Sequence, residues 1–272
     1  MSPILQVMAQ SERGRRPQNE DMFAVPGLLY PHPLPERGLA IVPHQRVQFS
    51  AKGFLYLVAD GVGGYDGGEK ASALAVSEVS TRYYEDPSLD LETSLIRVIQ
   101  AAHRQIRLHR QIPGEPPNMC TTLTAALIQG NKLILAQAGD TRAYLIRNRQ
   151  AQRLTKDHSW VQAQVDQGLL TPDEAKVTKH KNRITRALGK EEQIGIDTER
   201  ITLLAGDRVL LCSDGVSNHL SEQELATLAG QKHLNKAVNN LLDTAYDNGS
   251  TDNMTVVLID FHKQETHWWR RK

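Results

Sequence analysis

The stretch LYLVADGVGGYDGGEKAS, from Leu55 to Ser72, joins an apolar run, an aspartate and five glycines within eight positions. The apolar run before Asp60 is short and rich in aromatic and β-branched residues, which is typical of a buried strand. A helical pattern of apolar residues follows from about Gly68 to Tyr84. A strand, a glycine-rich loop and a helix in this order are compatible with a phosphate-binding loop, a metal site or a tight turn.

The glycine spacing does not fit the known phosphate-binding loops. Gly63 and Gly68 have the separation of a P-loop, but Glu69 stands where that motif requires lysine. The dinucleotide-binding fingerprint would need a glycine where Asp66 stands. The loop also lacks the alternating oxygen ligands of an EF-hand. The stretch is therefore either a plain Asp-Gly turn or part of a metal site.

Asp60 is one of four aspartates that adjoin apolar, strand-like runs. Asp140 follows KLILAQAG, Asp214 follows RVLLCS, and Asp252 precedes NMTVVLID. Each of them alone is compatible with an ordinary turn residue. Together they predict carboxylates that converge at one rim of a sheet core. An all-oxygen ligand set favours magnesium or manganese over zinc.

Composition limits the class of protein. The chain has 272 residues, of which 40% are hydrophobic and 23% charged, as in a globular protein. The net charge of +1 gives no support for a nucleic-acid or acidic-membrane surface. Two cysteines, Cys120 and Cys212, predict small buried side chains rather than a disulfide framework. The sequence has no signal-peptide pattern and no apolar run of about 18 residues, so we expect a cytoplasmic protein without a membrane span.

The arrangement of the elements predicts an α+β fold. A helix is expected over about Leu89–Gln111, and strands with turns at Gly130-Asn131 and Asn148-Arg149 follow it. Two capping boxes, Thr171-Pro-Asp-Glu174 and Ser221-Glu-Gln-Glu224, predict the starts of further helices. Helices and antiparallel hairpins thus occur in blocks rather than in strict alternation, which favours a layered domain over a doubly wound parallel sheet.

We expect a single domain over residues 1–262 and a C-terminal tail at 263–272. Residues 26–50 hold five prolines and predict a loop or an insertion. Residues 156–190, here called the flap segment, are rich in charge and lack a sustained apolar pattern. They predict a mobile flap beside the site that affects substrate selection.

The order of the motifs resembles the PPM family, the metal-dependent serine/threonine protein phosphatases of the 2C type, and its bacterial members in particular. The resemblance covers about Arg13 to Asp260, nearly the whole chain. One such motif would be weak, whereas eight in family order are specific. The matching stretches are RPQNED, ADGVGGYDGGEKAS, CTTLTAAL, AGDTRAYL, LTKDHSWVQ, ITRALG, LCSDGVSN and STDNMTVVLI.

The resemblance implies a four-layer α-β-β-α sandwich with two packed antiparallel sheets, flanking helices and a two-metal centre holding Mn²⁺ or Mg²⁺. By position, Asp60 would bridge both ions, and the Gly61 carbonyl would contact one of them. Asp214 and Asp252 would complete the shell of the other ion. Asp140, with Asp214, matches the weaker third-metal position of the family.

The resemblance also assigns residues around the metals. Glu20 and Asp21 would orient metal-bound waters or lie in the second shell. Arg16 matches the arginine that holds the substrate phosphate, although an arginine in such a basic stretch, taken alone, would be a solvated surface charge. Two positions depart from the family pattern. Val62 stands where some members carry a histidine proposed as general acid, and Tyr65 stands where bacterial relatives often have histidine.

The function implied by the resemblance is hydrolysis of phosphoserine and phosphothreonine in proteins by a metal-activated water. Expected partners are phosphoproteins, with a serine/threonine kinase or its substrates among them, and the expected state is a monomer. An alternative is a catalytically silent phospho-binding module on the same fold. Such a module would be expected to lose metal carboxylates, and this chain retains Asp60, Asp214 and Asp252.

Overall fold

Two antiparallel sheets face each other at the centre of the computed structural model, which describes residues 3–27, 37–42, 51–62, 67–180 and 182–263. The strands of the first sheet are β1 (Pro3–Glu12), β3 (Arg37–Val42), β8 (Arg142–Arg147), β9 (Gln150–Arg153), β11 (Arg208–Cys212) and β12 (Met254–Lys263). The strands of the second sheet are β2 (Asp21–Ala24), β4 (Phe54–Val62), β5 (Cys120–Thr121), β6 (Leu123–Gln129), β7 (Lys132–Ala138) and β10 (Asp197–Thr202). Their orders are β3-β1-β12-β11-β8-β9 and β10-β7-β6-β4-β2, with β5 beside β4.

Helices cover the outer faces of both sheets. The helices are α1 (Gly67–Glu85), α2 (Leu91–His109), α3 (Trp160–Asp166), α4 (Pro172–Val177), α5 (Asp214–Ser217), α6 (Glu222–Ala229) and α7 (Leu234–Asp247). One apolar cluster joins α1 and α2 to the second sheet, and another joins α6 and α7 to the first. A third cluster lies between the sheets. The predicted four-layer α-β-β-α sandwich is therefore confirmed.

The central strands are apolar on both faces because each face meets a different layer. In β4, Leu55 and Leu57 pack toward α1 and α2, whereas Tyr56 and Val58 pack between the sheets. Successive side chains of a strand point to opposite faces, so a strand buried on both faces has an unbroken apolar sequence. Within the described residues, no helix is both long enough and apolar enough to cross a bilayer.

The predicted caps and turns are present. Thr171 and Ser221 each form a complete capping box, at the starts of α4 and α6. Asn148 and Arg149 both have positive φ, 53° and 60°, as a tight turn between antiparallel strands requires.

The glycine-rich stretch begins differently from the prediction. Strand β4 does not end at Asp60 but continues through Val62, because Gly61 and Val62 pair with β5. Gly61 lies against the backbone of Gly68, and a Cβ on Gly61 would be 2.3 Å from it. These two glycines therefore let the start of α1 approach β4. Tyr65 and the rest of residues 63–66 lie outside the described part of the chain.

The proline-rich stretch is not a loop throughout. Strand β3 lies in its middle and pairs with β1 at the edge of the first sheet. Prolines on both sides of a short edge strand hide its pattern in the sequence. Residues 28–36 and 43–50 lie outside the described residues. At the other end of the chain, β12 includes Lys263, so the predicted tail starts one residue later than expected and is otherwise not described.

Candidate active site

Strand ends from both sheets bring five aspartates to one rim of the sandwich. Asp60 lies in β4, and Asp21, the first residue of β2, is its direct partner in the antiparallel register. Asp140 lies two residues past β7, Asp214 follows β11 at the start of α5, and Asp252 lies two residues before β12. The carboxyls act on one another electrostatically, so they share one site.

Burial and like charge raise the pKa values of Asp60, Asp140 and Asp214. The pKa values of Asp60 and Asp140 lie well above the usual range, first because both are desolvated and then because neighbouring aspartates repel their charge. The pKa of Asp214 is also raised, by burial and by Asp252, and its carboxyl shares a hydrogen bond with that of Asp60. Positive charge placed among these groups would relieve their repulsion.

Within the described residues, the carboxyl of Asp21, unlike those of the other rim aspartates, binds two hydroxyl groups. Its side chain is 1% exposed, and Oδ2 accepts hydrogen bonds from Ser213 Oγ and Thr255 Oγ1, both at 2.7 Å. Burial raises the pKa of Asp21 to about 7. The two hydroxyl groups come from β-strand ends of the first sheet, so Asp21 joins the two sheets below Asp60.

The donor set fits a hard divalent cation. Oδ1 of Asp21 and Oδ1 of Asp140 are shielded from solvent and have no hydrogen-bond partner among the described residues. Oxygen atoms of this kind are ligands that Mg²⁺ and Mn²⁺ accept. In the described part of the chain, no group of three or more His, Cys, Asp or Glu side chains has the geometry of a complete metal site. By the chemistry of their donor atoms, the residues present therefore fit Mg²⁺ or Mn²⁺.

Backbone contacts fix the position of Asp60. Its N–H donates to Thr122 Oγ1 at 3.0 Å, and its carbonyl accepts from Thr122 N and from Thr121 Oγ1, both at 2.8 Å. Both threonines are buried. The two threonines therefore position the site, because they hold the backbone from which the Asp60 carboxyl projects.

Glu20 is held next to Asp60 through its own backbone. Its carbonyl accepts from Gly61 N at 3.1 Å and from Ser72 Oγ at 2.6 Å. Its carboxyl lies against Gly68, since a Cβ there would be 2.4 Å from Glu20 Oε2. The start of α1 thus packs directly on Glu20.

Arg16 and Asp252 form an ion pair at the solvent edge of the site. Arg16 Nη2 donates to Asp252 Oδ2 at 2.6 Å, and the arginine side chain is 51% exposed. Asn253 ties the two loops together. Its amide donates to the carbonyls of Arg13 and Gln18, and its Oδ1 accepts from Glu20 N at 2.9 Å. Asn253 therefore joins the Arg16 loop to the Asp252 loop.

An arginine network that the sequence did not indicate supports the rim from below. Arg142 binds the Asp157 carboxylate through Nε and Nη2, the shortest contact being 2.7 Å. Its Nη2 also donates to Asn218 Oδ1 at 3.0 Å, and Asn218 Nδ2 donates to Asp214 Oδ2 at 3.3 Å. The Arg142 charge counteracts the rise in the pKa values of Asp140 and Asp214. The signal in the sequence that could have indicated this network was the arginine two residues after Asp140.

His158 connects the flap segment to the Asp140 turn. Its Nδ1 accepts from Gly139 N at 3.0 Å, and its backbone N–H donates to the Gly139 carbonyl at 2.9 Å. Since Nδ1 accepts, Nε2 carries the proton and donates to Asp197 Oδ2 at 3.1 Å. Arg186 donates to the other oxygen of Asp197. Burial lowers the pKa of His158. These contacts hold the flap segment against the Asp140 turn and give His158 a structural role.

The sequence matches the protein phosphatase 2C family model over residues 44–258. It is 34% identical over 211 residues to the serine/threonine phosphatase Stp of Listeria welshimeri, covering 76% of this chain and 84% of that protein. It is 35% identical over 225 residues to the serine/threonine protein phosphatase PstP of Mycobacterium tuberculosis, covering 83% of this chain and 43% of that protein.

Solved structures show the same architecture. The crystal structure of M. tuberculosis PstP matches with a TM-score of 0.80 and 32% identity, over 96% of this chain and all of that one. A structure of the PstP catalytic domain in complex with two manganese ions matches with a TM-score of 0.78 and 31% identity, over 96% of this chain and all of that one.

The fold and the cluster of carboxylates define the class as a metal-dependent phosphatase. The chain belongs to the protein phosphatase 2C family, as the motif order predicted.

Proposed function

We propose that this phosphatase hydrolyses phosphoserine and phosphothreonine in proteins at a centre of two Mn²⁺ or Mg²⁺ ions. The convergence of Asp60, Asp214 and Asp252, in which Asp214 and Asp252 both raise the pKa of Asp60, is the observation that carries the proposal. Two such ions, when bound, lower the pKa of a water and neutralise charge on the phosphoryl oxygens, so no protein nucleophile is needed.

Each rim residue has a part in this proposal. Asp60, half-buried beside the other carboxylates, would contact both ions, with the Gly61 carbonyl beside it. Asp214 and Asp252 would hold the second ion, and Asp140 with Asp214 would offer a weaker third position. The unpartnered Oδ1 of Asp140 supports that last assignment.

The surrounding residues would bind the substrate phosphate or orient waters and metal ligands. Arg16, half exposed at the solvent edge, would hold the substrate phosphate, and a guanidinium group can contact two phosphate oxygens at once. Glu20 and Asp21 would orient waters or ligands rather than meet substrate. Val62 has no proton to give, so the side chain at that position does not protonate the leaving group.

The expected substrates, partners, oligomeric state and location follow from the same proposal. Phosphoproteins are the substrates, and a serine/threonine kinase or the substrates of such a kinase are the expected partners. We propose that the protein acts as a monomer in the cytoplasm. The flap segment would select among protein substrates, since it meets the Asp140 turn through His158.

Hydrolysis of p-nitrophenyl phosphate and of a phosphothreonine peptide in the presence of manganese tests the proposal. We expect EDTA to abolish both activities and Asp214→Ala to remove them, while the exposed-site control Asp247→Ala retains them. Activity that is undiminished by EDTA, or that survives Asp214→Ala, would contradict the mechanism.

The silent phospho-binding module is tested by calorimetry on the same samples. Tight binding of a phosphopeptide without turnover at saturating manganese would favour that alternative. The retained carboxylates favour the enzyme.

A further inference from the structure

A pocket of about 240 Å³ opens beside the end of β4. Its walls include Val62 of β4, Cys120 of β5, Arg110 just after α2, and Ile184 and Lys190 of the flap segment. Sites for drug-sized ligands usually occupy roughly 300–1,000 Å³. The pocket therefore has the size for one side chain rather than for a nucleotide or a cofactor.

The pocket lies next to the carboxylate rim. Val62 is two residues beyond Asp60 on the same strand, so their side chains share one face about 7 Å apart. The opposite wall is fixed to the same strand pair, because Thr121 and Leu188 exchange backbone hydrogen bonds of 3.1 and 2.8 Å. Cys120 Sγ donates to the Val62 carbonyl at 3.2 Å. Strands β4 and β5 and the end of the flap segment are thus connected by hydrogen bonds and line the pocket together.

Two cations and no carboxylate are found among the described residues that line this pocket. Arg110 Nε donates to Pro117 O at 2.6 Å, and Nη1 donates to Gly189 O. Lys190 Nζ donates to Ile184 O at 2.9 Å. These bonds hold the charged heads in place, yet they use only two of the five arginine donors and one of the three lysine donors.

The thiol of Cys120 is influenced by the charges of both cations. Burial raises its pKa, and the charges of Lys190 and Arg110 counteract that rise. Both cations therefore act at the same point of the wall. A negative group on an incoming peptide is therefore attracted by two cations at the pocket, with no carboxylate of the pocket lining to repel it.

We propose that this pocket binds an anionic side chain of the substrate, two or three residues from the phosphorylated residue. An extended peptide spans about 3.3–3.6 Å per residue, so two residues cover the separation between Asp60 and Val62. The inference rests on the proposed function, since it concerns the substrates of the same site. A carboxylate and a second phosphate share the required chemistry, and the test separates them.

The test uses phosphothreonine peptides that differ at one position, placed two or three residues on either side of the phosphothreonine. That position carries glutamate, glutamine or a non-hydrolysable phosphonate analogue of phosphoserine. We expect the wild-type protein to prefer glutamate over glutamine by about threefold to fivefold in kcat/KM, the effect of one partly exposed ion pair. A larger gain with the phosphonate identifies a second phosphate as the preferred group, and a larger gain with glutamate identifies an acidic side chain.

Substitutions of Lys190 assign the preference to the pocket. Lys190→Met keeps the aliphatic stem without the charge, and we expect the glutamate-to-glutamine ratio to fall toward one. Lys190→Glu should reverse the preference, so that a peptide with lysine at that position reacts faster than one with glutamate. Lys232→Met, an exposed lysine between α6 and α7, is the matched control and should keep the wild-type ratio. A ratio within one variant does not depend on how much of it is folded.

Fluorescence anisotropy of labelled peptides measures the same preference without turnover. Absence of hydrolysis together with a Lys190-dependent binding preference would contradict the proposed function and support the pocket. A wild-type preference near one at every position, in binding and in hydrolysis, would overturn the inference. A preference that Lys190→Met and Lys190→Glu leave unchanged would overturn it as well.

Discussion

The carboxylate rim and the flap segment lie side by side but are held in different ways. Each rim residue lies in a strand or within two residues of one, and contacts with residues far away in the chain fix its position, such as that of Asp21 with Thr255. The flap segment contains two short helices, and α3 buries no residue. Its position depends on contacts at its two ends.

Two neutral histidines make those end contacts. His158 accepts from Gly139 N at one end, and His103 of α2 accepts from Gly189 N at 3.0 Å at the other. The position of the rim therefore depends on strands of both sheets, whereas the position of the flap segment depends on a few contacts near its two ends. The following predictions test that difference.

The largest effect is expected at the rim. Asp60→Asn removes one carboxylate from the centre of the cluster, and kcat/KM should fall by more than about 100-fold, since even residues that only support metal ligands are worth 10–100-fold. The melting temperature without metal should not fall, because the remaining carboxyls then repel less. Phosphatase assays and thermal unfolding measure both quantities. Asp247→Asn at the exposed end of α7 is the control, and a loss of less than tenfold in Asp60→Asn would contradict the assignment.

A second effect separates the flap segment from the rim. Replacing residues 161–180 by a short glycine-serine linker leaves His158 in place and should reduce kcat/KM for a phosphopeptide by about tenfold, equivalent to about 1.4 kcal/mol of lost contact. Hydrolysis of p-nitrophenyl phosphate should change by less than about twofold, because so small a substrate makes few such contacts. Equal losses on both substrates would count against a role in substrate selection.

The support beneath the rim is tested by Thr255→Val. The substitution removes a hydroxyl that donates to Asp21 Oδ2 and contacts Ser11 Oγ, both at 2.7 Å. We expect manganese affinity, measured by calorimetry, to fall by about tenfold, as for other residues that orient metal ligands. Thr227→Val on the exposed face of α6 should bind manganese as the wild type does. Unchanged affinity in Thr255→Val would remove Asp21 from the metal site.

The two capping boxes provide a matched pair. Ser221 caps α6, which packs on the first sheet, and Thr171 caps α4 in the flap segment. Ser221→Ala should lower the free energy of unfolding by about 1 kcal/mol, the usual loss for a helix cap. Thr171→Ala should leave it nearly unchanged but accelerate amide exchange in α4. Equal losses of global stability would show that α4 unfolds only with the whole domain.

The smallest effect concerns pH. Burial lowers the pKa of His103, so the unfolded chain takes up a proton before the folded one does. The stability from this histidine is therefore complete above its unfolded pKa of about 6.5 and is lost as pH falls below that value. Urea unfolding at pH 7.5, 6.5 and 5.5 should show a smaller dependence on pH in His103→Gln than in the wild type. His233→Gln, an exposed histidine, should keep the wild-type dependence.

The sequence indicated the aspartates of the rim better than the residues that hold those aspartates in place. Asp60, Asp140 and Asp214 adjoin apolar runs, and local pattern was enough to find them. The residues that hold them were hidden, because their partners are distant in the chain. Arg142 meets Asn218 76 residues later, and no local pattern indicates that contact.

Edge strands were hidden for a related reason. Strand β10 has exposed and half-buried positions and no apolar run, and among the described strands it pairs with β7 alone. Tertiary pairing, rather than propensity, makes it a strand. In β4, pairing with β5 likewise carries the strand past Asp60 into a glycine-rich stretch that local rules assign to a loop.

The histidine contacts at the two ends of the flap segment have a consequence for engineering. With His158 on Gly139 and His103 on Gly189, the chain between them begins and ends at fixed points of the sandwich. Doubling the length of a flexible loop between fixed points costs only about 0.6 kcal/mol. Residues 161–180, within this interval, are therefore a segment that can be exchanged for other helices or recognition loops while the carboxylates stay in place.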